Sequence, residues 1–158
     1  MLRRVKTKKH RSVGDSFAIV ASQYNARYVD AMLRAAKTEL QRAGVKKIEV
    51  IRVPGAFEIP VIAARLANDF SGPAFSAIIC LGVILRGETV HAVHIGEAVS
   101  RALMQIQLKY GLPVIHEVLL LENENQARAR CLDKKHNRGA EAAQTALQMA
   151  RLMKTLRA

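Results

Sequence analysis

Apolar residues along this chain fall into two kinds of run. Dense blocks of Val, Ile, Leu, Ala and Phe occupy 16–22, 48–53, 75–85 and 114–121, while elsewhere apolar residues recur every three or four positions among charged neighbours. The dense blocks are short and rich in β-branched residues, which predicts strands. The block at 75–85 is apolar on both parities, as a strand covered on both faces must be. The spaced runs predict helices. Over 28–43, Val29, Leu33, Ala36, Leu40 and Ala43 share one helical face, with Gly44 as the stop. Further helices are predicted at 57–69, after the Pro54-Gly55 turn, at 92–110, closed by Gly111, and at 124–132. A last one covers 139–156, with Ala143, Ala146, Leu147, Ala150 and Met153 as its apolar stripe.

Strands alternating with helices at this spacing require right-handed crossovers, and hence a parallel sheet with helices on both faces. The class is three-layer α/β. With 158 residues, no internal repeat and no low-complexity linker, the chain reads as one domain over 16–158 preceded by an arm over 1–15. Open sheets of this kind bind ligands beyond the carboxyl ends of their strands, so the chemistry is expected there.

The formal net charge of +12 invites a nucleic-acid reading, which its distribution weakens. Half of that charge sits in residues 1–11, where Arg3, Arg4, Lys6, Lys8, Lys9 and Arg11 occur without an acid. Such an arm can touch phosphates without sequence preference. The body has no Trp and only scattered Tyr and Phe, so it lacks the aromatic platforms that stack bases. The arm is basic and acid-poor like the start of an organelle presequence, yet it lacks the apolar core of a secretory signal. Every apolar stretch is broken well before the roughly 20 residues of a membrane span. Cys80 and Cys131 stand far apart with no CxxC spacing. These features predict a soluble, cytoplasmic chain with two reduced thiols.

Four strand ends carry the candidate chemistry. After the first, Tyr24 offers an aromatic face and Asn25 an amide suited to a planar ring, or else a packed ring and a helix cap. After the second, Pro54-Gly55-Ala56-Phe57-Glu58 turns a helix start and a carboxylate toward the same edge; an acid there also simply suits the helix dipole. After the third, Arg86-Gly87-Glu88-Thr89-Val90-His91 combines an anion-binding corner with an imidazole suited to proton transfer near neutral pH. His91, His94 and Glu97 recur at i, i+3 and i+6, not the usual helical zinc spacing, so no metal is expected. After the fourth, Arg130 can supply a planar fork for a phosphate, or belong with Lys134, Lys135 and Arg138 to a solvated basic face.

Taken in order, Tyr24-Asn25, the segment Val53-Pro54-Gly55-Ala56-Phe57-Glu58-Ile59-Pro60, the segment from Gly82 to His91, Gln126-Ala127-Arg128-Ala129-Arg130 and Asn137-Arg138-Gly139 closely resemble the lumazine synthase family of riboflavin biosynthesis. The resemblance covers residues 16–153. It implies a flavodoxin-like domain with a four-stranded parallel sheet flanked by helices, in pentamers whose active sites lie between subunits. Decamers and sixty-subunit shells also occur in the family. The implied reaction condenses 5-amino-6-(D-ribitylamino)uracil with 3,4-dihydroxy-2-butanone 4-phosphate to 6,7-dimethyl-8-ribityllumazine, phosphate and water, without cofactor or metal.

By the same resemblance, Tyr24 stacks on the pyrimidine, and Ala56, Phe57 and Glu58 hold the ribityl side. Val83, Ile84 and Leu85 offer backbone contacts, with Asn25 nearby. Gly87, Glu88, Thr89 and Arg130 face the phosphate, Arg138 and His116 are further substrate-binding positions, and His91 moves protons. Three places depart from the family pattern. His116 stands where a Phe often reaches the substrate from the neighbouring subunit, Ala92-Val93-His94 replaces an often aromatic and acidic stretch, and Ala129 stands where an acid often precedes the phosphate-binding Arg. Alternatives on the same fold are an archaeal-type riboflavin synthase and a non-catalytic flavin-binding or shell protein; a basic nucleic-acid module is a third.

Overall fold

The computed structural model describes residues 11–12, 14–68 and 75–157. Among them, β1 (Ser16–Ser22), β2 (Lys47–Val53), β3 (Ala77–Leu85) and β4 (Val114–Leu121) form one parallel sheet in the order β2-β1-β3-β4. Helices α1 (Ala26–Arg42), α2 (Ile59–Ala67) and α3 (His91–Tyr110) make the crossovers, and α4 (Glu124–Ala127) and α5 (Arg138–Arg157) follow β4. The result is the three-layer, flavodoxin-like α/β arrangement expected from the alternating runs.

Each face of the sheet has its own core. On one, Phe17, Ile19, Ile79 and Leu81 pack with Val29, Met32 and Leu40 of α1 and with Ala142, Ala143, Ala146 and Ala150 of α5. On the other, Ala18, Val20, Ile78 and Cys80 meet Ile59 and Ala63 of α2 and Val99 and Leu103 of α3. Central strands β1 and β3 therefore bury both parities, which is why they read as unbroken apolar runs. The alanine stripe of α5 permits a short helix separation, and at Gly139 the approach is closest. A Cβ there would collide with the backbone carbonyl of Met32, so only glycine fits.

Two predicted helices are divided. In place of one helix over 57–69, a tight turn over Ala56–Glu58 precedes α2. Pro60 explains the break, since it lacks an N–H and suits only a helix's first turn; Asp69 lies outside the described residues. The helix predicted at 124–132 is α4, capped by Asn123 Oδ1 accepting from Gln126 N at 3.0 Å, followed by a widened π turn over Arg128–Leu132. That turn keeps Ala127 and Cys131 buried against α1 while Arg128 and Arg130 face outward.

Residues 1–10 of the basic arm lie outside the described residues. Ser12 and Asp15 are fastened to the body. Ser12 N donates to Ala43 O at 2.7 Å, and Asp15 accepts from Ser12 Oγ at 2.7 Å, from Ser76 Oγ at 2.9 Å and from Lys154 Nζ at 2.7 Å. No helix among the described residues is long and apolar enough to cross a membrane.

Candidate active site

The chain leaves β1 for β2 on one side and then crosses back to β3 on the other, so strand order reverses between β1 and β3. A crevice opens outside their carboxyl ends at such a reversal. Backbone pairing between these strands ends at Ala21 with Leu81, although β3 runs on to Leu85. Beyond that point Asn25 takes over. It sits in the left-handed region with φ 55°, and its Nδ2 donates to Val83 O at 2.8 Å. Asparagine is among the few residues that adopt this conformation readily. Its Nδ2 thus braces the crevice from β1 to the Val83 carbonyl, and its side chain does not cap α1.

Tyr24 is carried on the continuation of β1. Gln23 N donates to Val53 O at 2.8 Å and Tyr24 N to Pro54 O at 3.1 Å, which ties the segment to the end of β2. Its ring is not a packed core residue, because Tyr24 is 72% exposed. Ala56 is buried, Phe57 lies outside, and Glu58 is half-buried. Glu58 Oε2 accepts the Gly55 N–H at 2.8 Å, and no partner engages Oε1 among the described residues. A Cβ on Gly55 would lie 2.8 Å from Glu58 Oε2 and 3.2 Å from Tyr24 Cδ2. Tyrosine ring and carboxylate therefore converge over Gly55, where a Cβ would make them shift, a feature the motif alone did not reveal.

The loop after β3 forms the next wall. Val83 and Ile84 send their side chains into the cores, so this stretch offers main chain to a ligand. Arg86 pins the loop, with its N donating to Leu121 O at 2.8 Å and its NH1 bonding both Glu122 oxygens at 3.1 Å. Gly87, Glu88, Thr89 and Val90 are exposed, and His91 begins α3 on the surface. No side chain caps the first turn of α3, so its leading N–H groups remain available to an anion. A Cβ on Gly87 would meet nothing within 4 Å, so the fold itself does not require glycine there.

The remaining candidates gather elsewhere. His116 pairs with Cys80, five residues before Leu85, which places it about 16 Å from the strand ends. Ser100 Oγ donates its only proton to Gly96 O at 2.7 Å and so accepts from His116 Nε2 at 2.8 Å, fixing the tautomer. On the opposite face of β4 lies a charged cluster missed in the sequence. Glu117 is only 4% exposed, and its Oε1 accepts from Arg138 Nε at 2.7 Å. Arg138 NH1 also bonds Glu141 Oε2 at 2.6 Å. Burial pushes the Glu117 carboxyl above the usual range, outweighing the pull of Arg138 and Arg130. Arg130 is exposed and holds no ion pair among the described residues, but its charge reaches Glu117 and the buried Cys131 thiol, which burial pushes up to about 11. Arg138 is therefore largely committed to carboxylates, whereas Arg130 is free.

Tyr24, Glu58, the loop after β3 and His91 thus line one edge, while His116 faces α3 on one side of β4 and Arg138 lies with Glu117 on the other, with Arg130 exposed on the π turn. His94 and Glu97 are exposed on α3, and among the described residues no three His, Cys, Asp or Glu side chains are grouped to hold a metal ion. Cys80 and Cys131 are buried, unbridged thiols.

Open parallel α/β domains form a class whose ligands bind in the crevice at the strand-order reversal. Within that class, the family of 6,7-dimethyl-8-ribityllumazine synthases matches residues 14–154, and the chain belongs to it. It is 41% identical to the 6,7-dimethyl-8-ribityllumazine synthase of Stenotrophomonas maltophilia strain R551-3 over 89% of this chain and 90% of that one. It is 43% identical to the enzyme of that name from Xanthomonas oryzae pv. oryzae strain PXO99A, with the same coverage.

Proposed function

We infer that this protein is a transferase of riboflavin biosynthesis. It condenses 5-amino-6-(D-ribitylamino)uracil with 3,4-dihydroxy-2-butanone 4-phosphate to 6,7-dimethyl-8-ribityllumazine, releasing phosphate and water. The observation that carries this reading is the convergence of Tyr24 and Glu58 over Gly55 at the β1/β3 reversal, in a chain matched to the family over nearly its whole length. Tyr24 stacks on the pyrimidine, Glu58 Oε1 accepts ribityl hydroxyls beside Ala56 and Phe57, and the main chain of Ile84 and Leu85 meets the ring edge. The amine attacks the ketone to give an imine, phosphate is eliminated, and the enone closes the second ring. No net oxidation occurs, so the chemistry calls for no redox cofactor. His91 moves the protons of imine formation and elimination. Gly87, Glu88, Thr89 and the opening of α3 receive the departing phosphate together with Arg130. Joining two substrates in one crevice supplies much of the acceleration.

The site as proposed needs a second copy of the chain. His116 is too far from its own strand ends to reach a ligand there, and α3 and β4 leave Met104, Leu108 and Leu120 exposed beside it. A homo-oligomer built on pentamers, in the cytoplasm, fits this arrangement. The deciding experiment is a one-pot assay of the purified full chain with the two substrates. Lumazine formation is expected, and binding without turnover, or conversion of lumazine to riboflavin, would replace this reading by one of the alternatives.

A further inference from the structure

The proposed reaction leaves the acid-free basic run over 1–11 unused, and the structure shows where that run joins the body. Ser12 is seated where α1 ends. Its N donates to Ala43 O at 2.7 Å, and a Cβ on Gly44 would lie 3.8 Å from its carbonyl oxygen. The turn beneath it is closed by Gly44 N donating to Gln41 O at 2.9 Å and Val45 N to Leu40 O at 3.1 Å, with Gly44 at φ 86° in the left-handed region that ends helices. Ser16 then pairs in register with Lys47 at the start of β2. Arg11, Arg42, Lys46 and Lys47 are thus gathered, all exposed, around one fixed turn. This edge carries the strand starts, the length of β1, about 20 Å, from the candidate active site.

The acids at this edge do not balance those cations. Asp15 is engaged by Lys154 and Glu39 by Arg42, while among the described residues no carboxylate pairs with Arg11, Lys46 or Lys47; Glu49 stands further along β2. Lys47 Nζ lies 5.7 Å from the centre of the Phe75 ring, which holds the ammonium in place without neutralising it. Residues 1–9 add Arg3, Arg4, Lys6, Lys8 and Lys9. None of the large apolar side chains exposed on the described surface belongs to 11–12 or 42–47, so the turn offers charge without an apolar face for a membrane or a protein partner. We propose that this edge binds the phosphate backbone of nucleic acid, with Arg11, Lys46 and Lys47 as its fixed part and the cations of residues 1–9 extending it. The Phe75 face is taken by Lys47 and the chain has no Trp, so the surface reads charge density alone. It therefore prefers a duplex to a single strand, and no base sequence over another. The inference is independent of the proposed reaction, since it uses no residue of that site.

The test titrates the full-length protein into a short fluorescein-labelled duplex DNA of random sequence and follows anisotropy as salt is raised. The parent is compared with Lys46→Gln/Lys47→Gln, with Arg11→Gln, and with a variant in which the five cations of residues 1–9 are Gln. The parent should bind the duplex more tightly than the matching single strand and lose on the order of a thousandfold or more in affinity between about 50 and 200 mM salt. Each phosphate contact contributes about 0.9 to the slope of log affinity against log salt, so Lys46→Gln/Lys47→Gln should flatten it by about 1.8, Arg11→Gln by about 0.9 and the arm variant by about 4.5. The substituted side chains at 11, 46 and 47 are exposed, so Tm should stay at the parent's value. A parent slope retained in both Lys46→Gln/Lys47→Gln and Arg11→Gln removes the fixed turn from the surface and overturns the proposal. Failure of the parent to bind duplex at about 50 mM salt also overturns it, whether or not phosphatidylserine vesicles or polyglutamate capture the protein.

Discussion

Replacing Gly55 by alanine separates the site from the fold. Gly55 has φ −133° and ψ 176°, an extended conformation open to any residue, so alanine brings no backbone strain and slightly restricts the unfolded chain. The added methyl, however, would sit 2.8 Å from Glu58 Oε2, where ordinary contact begins at 3.4 Å. The carboxylate must therefore retreat by about 0.6 Å, away from the Gly55 N–H that now holds it at 2.8 Å. Tyr24, whose Cδ2 would lie 3.2 Å from the methyl, must yield as well. A ribityl hydroxyl that bonds the Glu58 carboxylate would lose a hydrogen bond to a charged acceptor when the carboxylate retreats, worth about 1.5–3 kcal/mol, and half-exposure reduces this to about 1–2 kcal/mol. At about 1.4 kcal/mol per factor of ten, KM for the ribitylaminouracil should rise about five- to thirtyfold. KM for the butanone phosphate should stay within about twofold. Steady-state kinetics with each substrate varied in turn reads the split, and a melting curve checks that the variant still unfolds cooperatively. An unchanged pyrimidine KM, with folding intact, would refute the placement of Glu58 and Tyr24 at that substrate.

Other perturbations probe the remaining parts. His91→Ala should lower kcat about 10- to 100-fold with little change in either KM, and a pH profile that keeps the parent's shape would remove His91 as proton carrier. Arg130→Ala should raise KM for the butanone phosphate about 10- to 100-fold; equal loss of affinity for both substrates would count against a phosphate ligand. Gly139→Ala forces a methyl against the Met32 carbonyl and should cost about 3 kcal/mol or more, a fall of about 6–12 °C in Tm; an unaltered melting curve would show that α1 and α5 are not so closely apposed. Asp15→Asn tests a pH-dependent anchor. Burial alone would push the Asp15 carboxyl up, but bonds from Lys154, Ser12 and Ser76 outweigh it and hold the group below the ordinary range. Its contribution is therefore complete above the unfolded value of about 4 and disappears as pH falls through the lower folded value. The Tm difference between parent and variant should be present at pH 7 and shrink in acid, and a difference that grew in acid would reverse the sign argument.

Strands β1 and β3 were legible because burial on both faces leaves an unbroken apolar run, and α1 because only one of its faces is covered. β4 was harder to read. Its block at 114–121 interrupts an apolar run with His116 and Glu117, and of these His116 faces outward, as does Leu120, while Glu117, the acid, is buried. Partner residues from α5 decide that outcome, and they lie twenty or more positions away in the chain. The strand-end motifs marked Tyr24 and Glu58 as candidates, but their meeting point at Gly55 depends on the paths of two separate loops. The intramolecular bonds of Asn25 to Val83 and of Arg138 to Glu117 and Glu141 were not legible, because a motif records a residue's type and not which neighbours its polar atoms meet.

The Asn25 bond to Val83 has one more consequence. Where the backbone ladder between β1 and β3 stops, a single side chain of fixed length sets the gap between two diverging strands. The crevice mouth is therefore a gauge cut to one amide. Remodelling the pocket for a broader or narrower ring would begin at residue 25, with the strands left as they are.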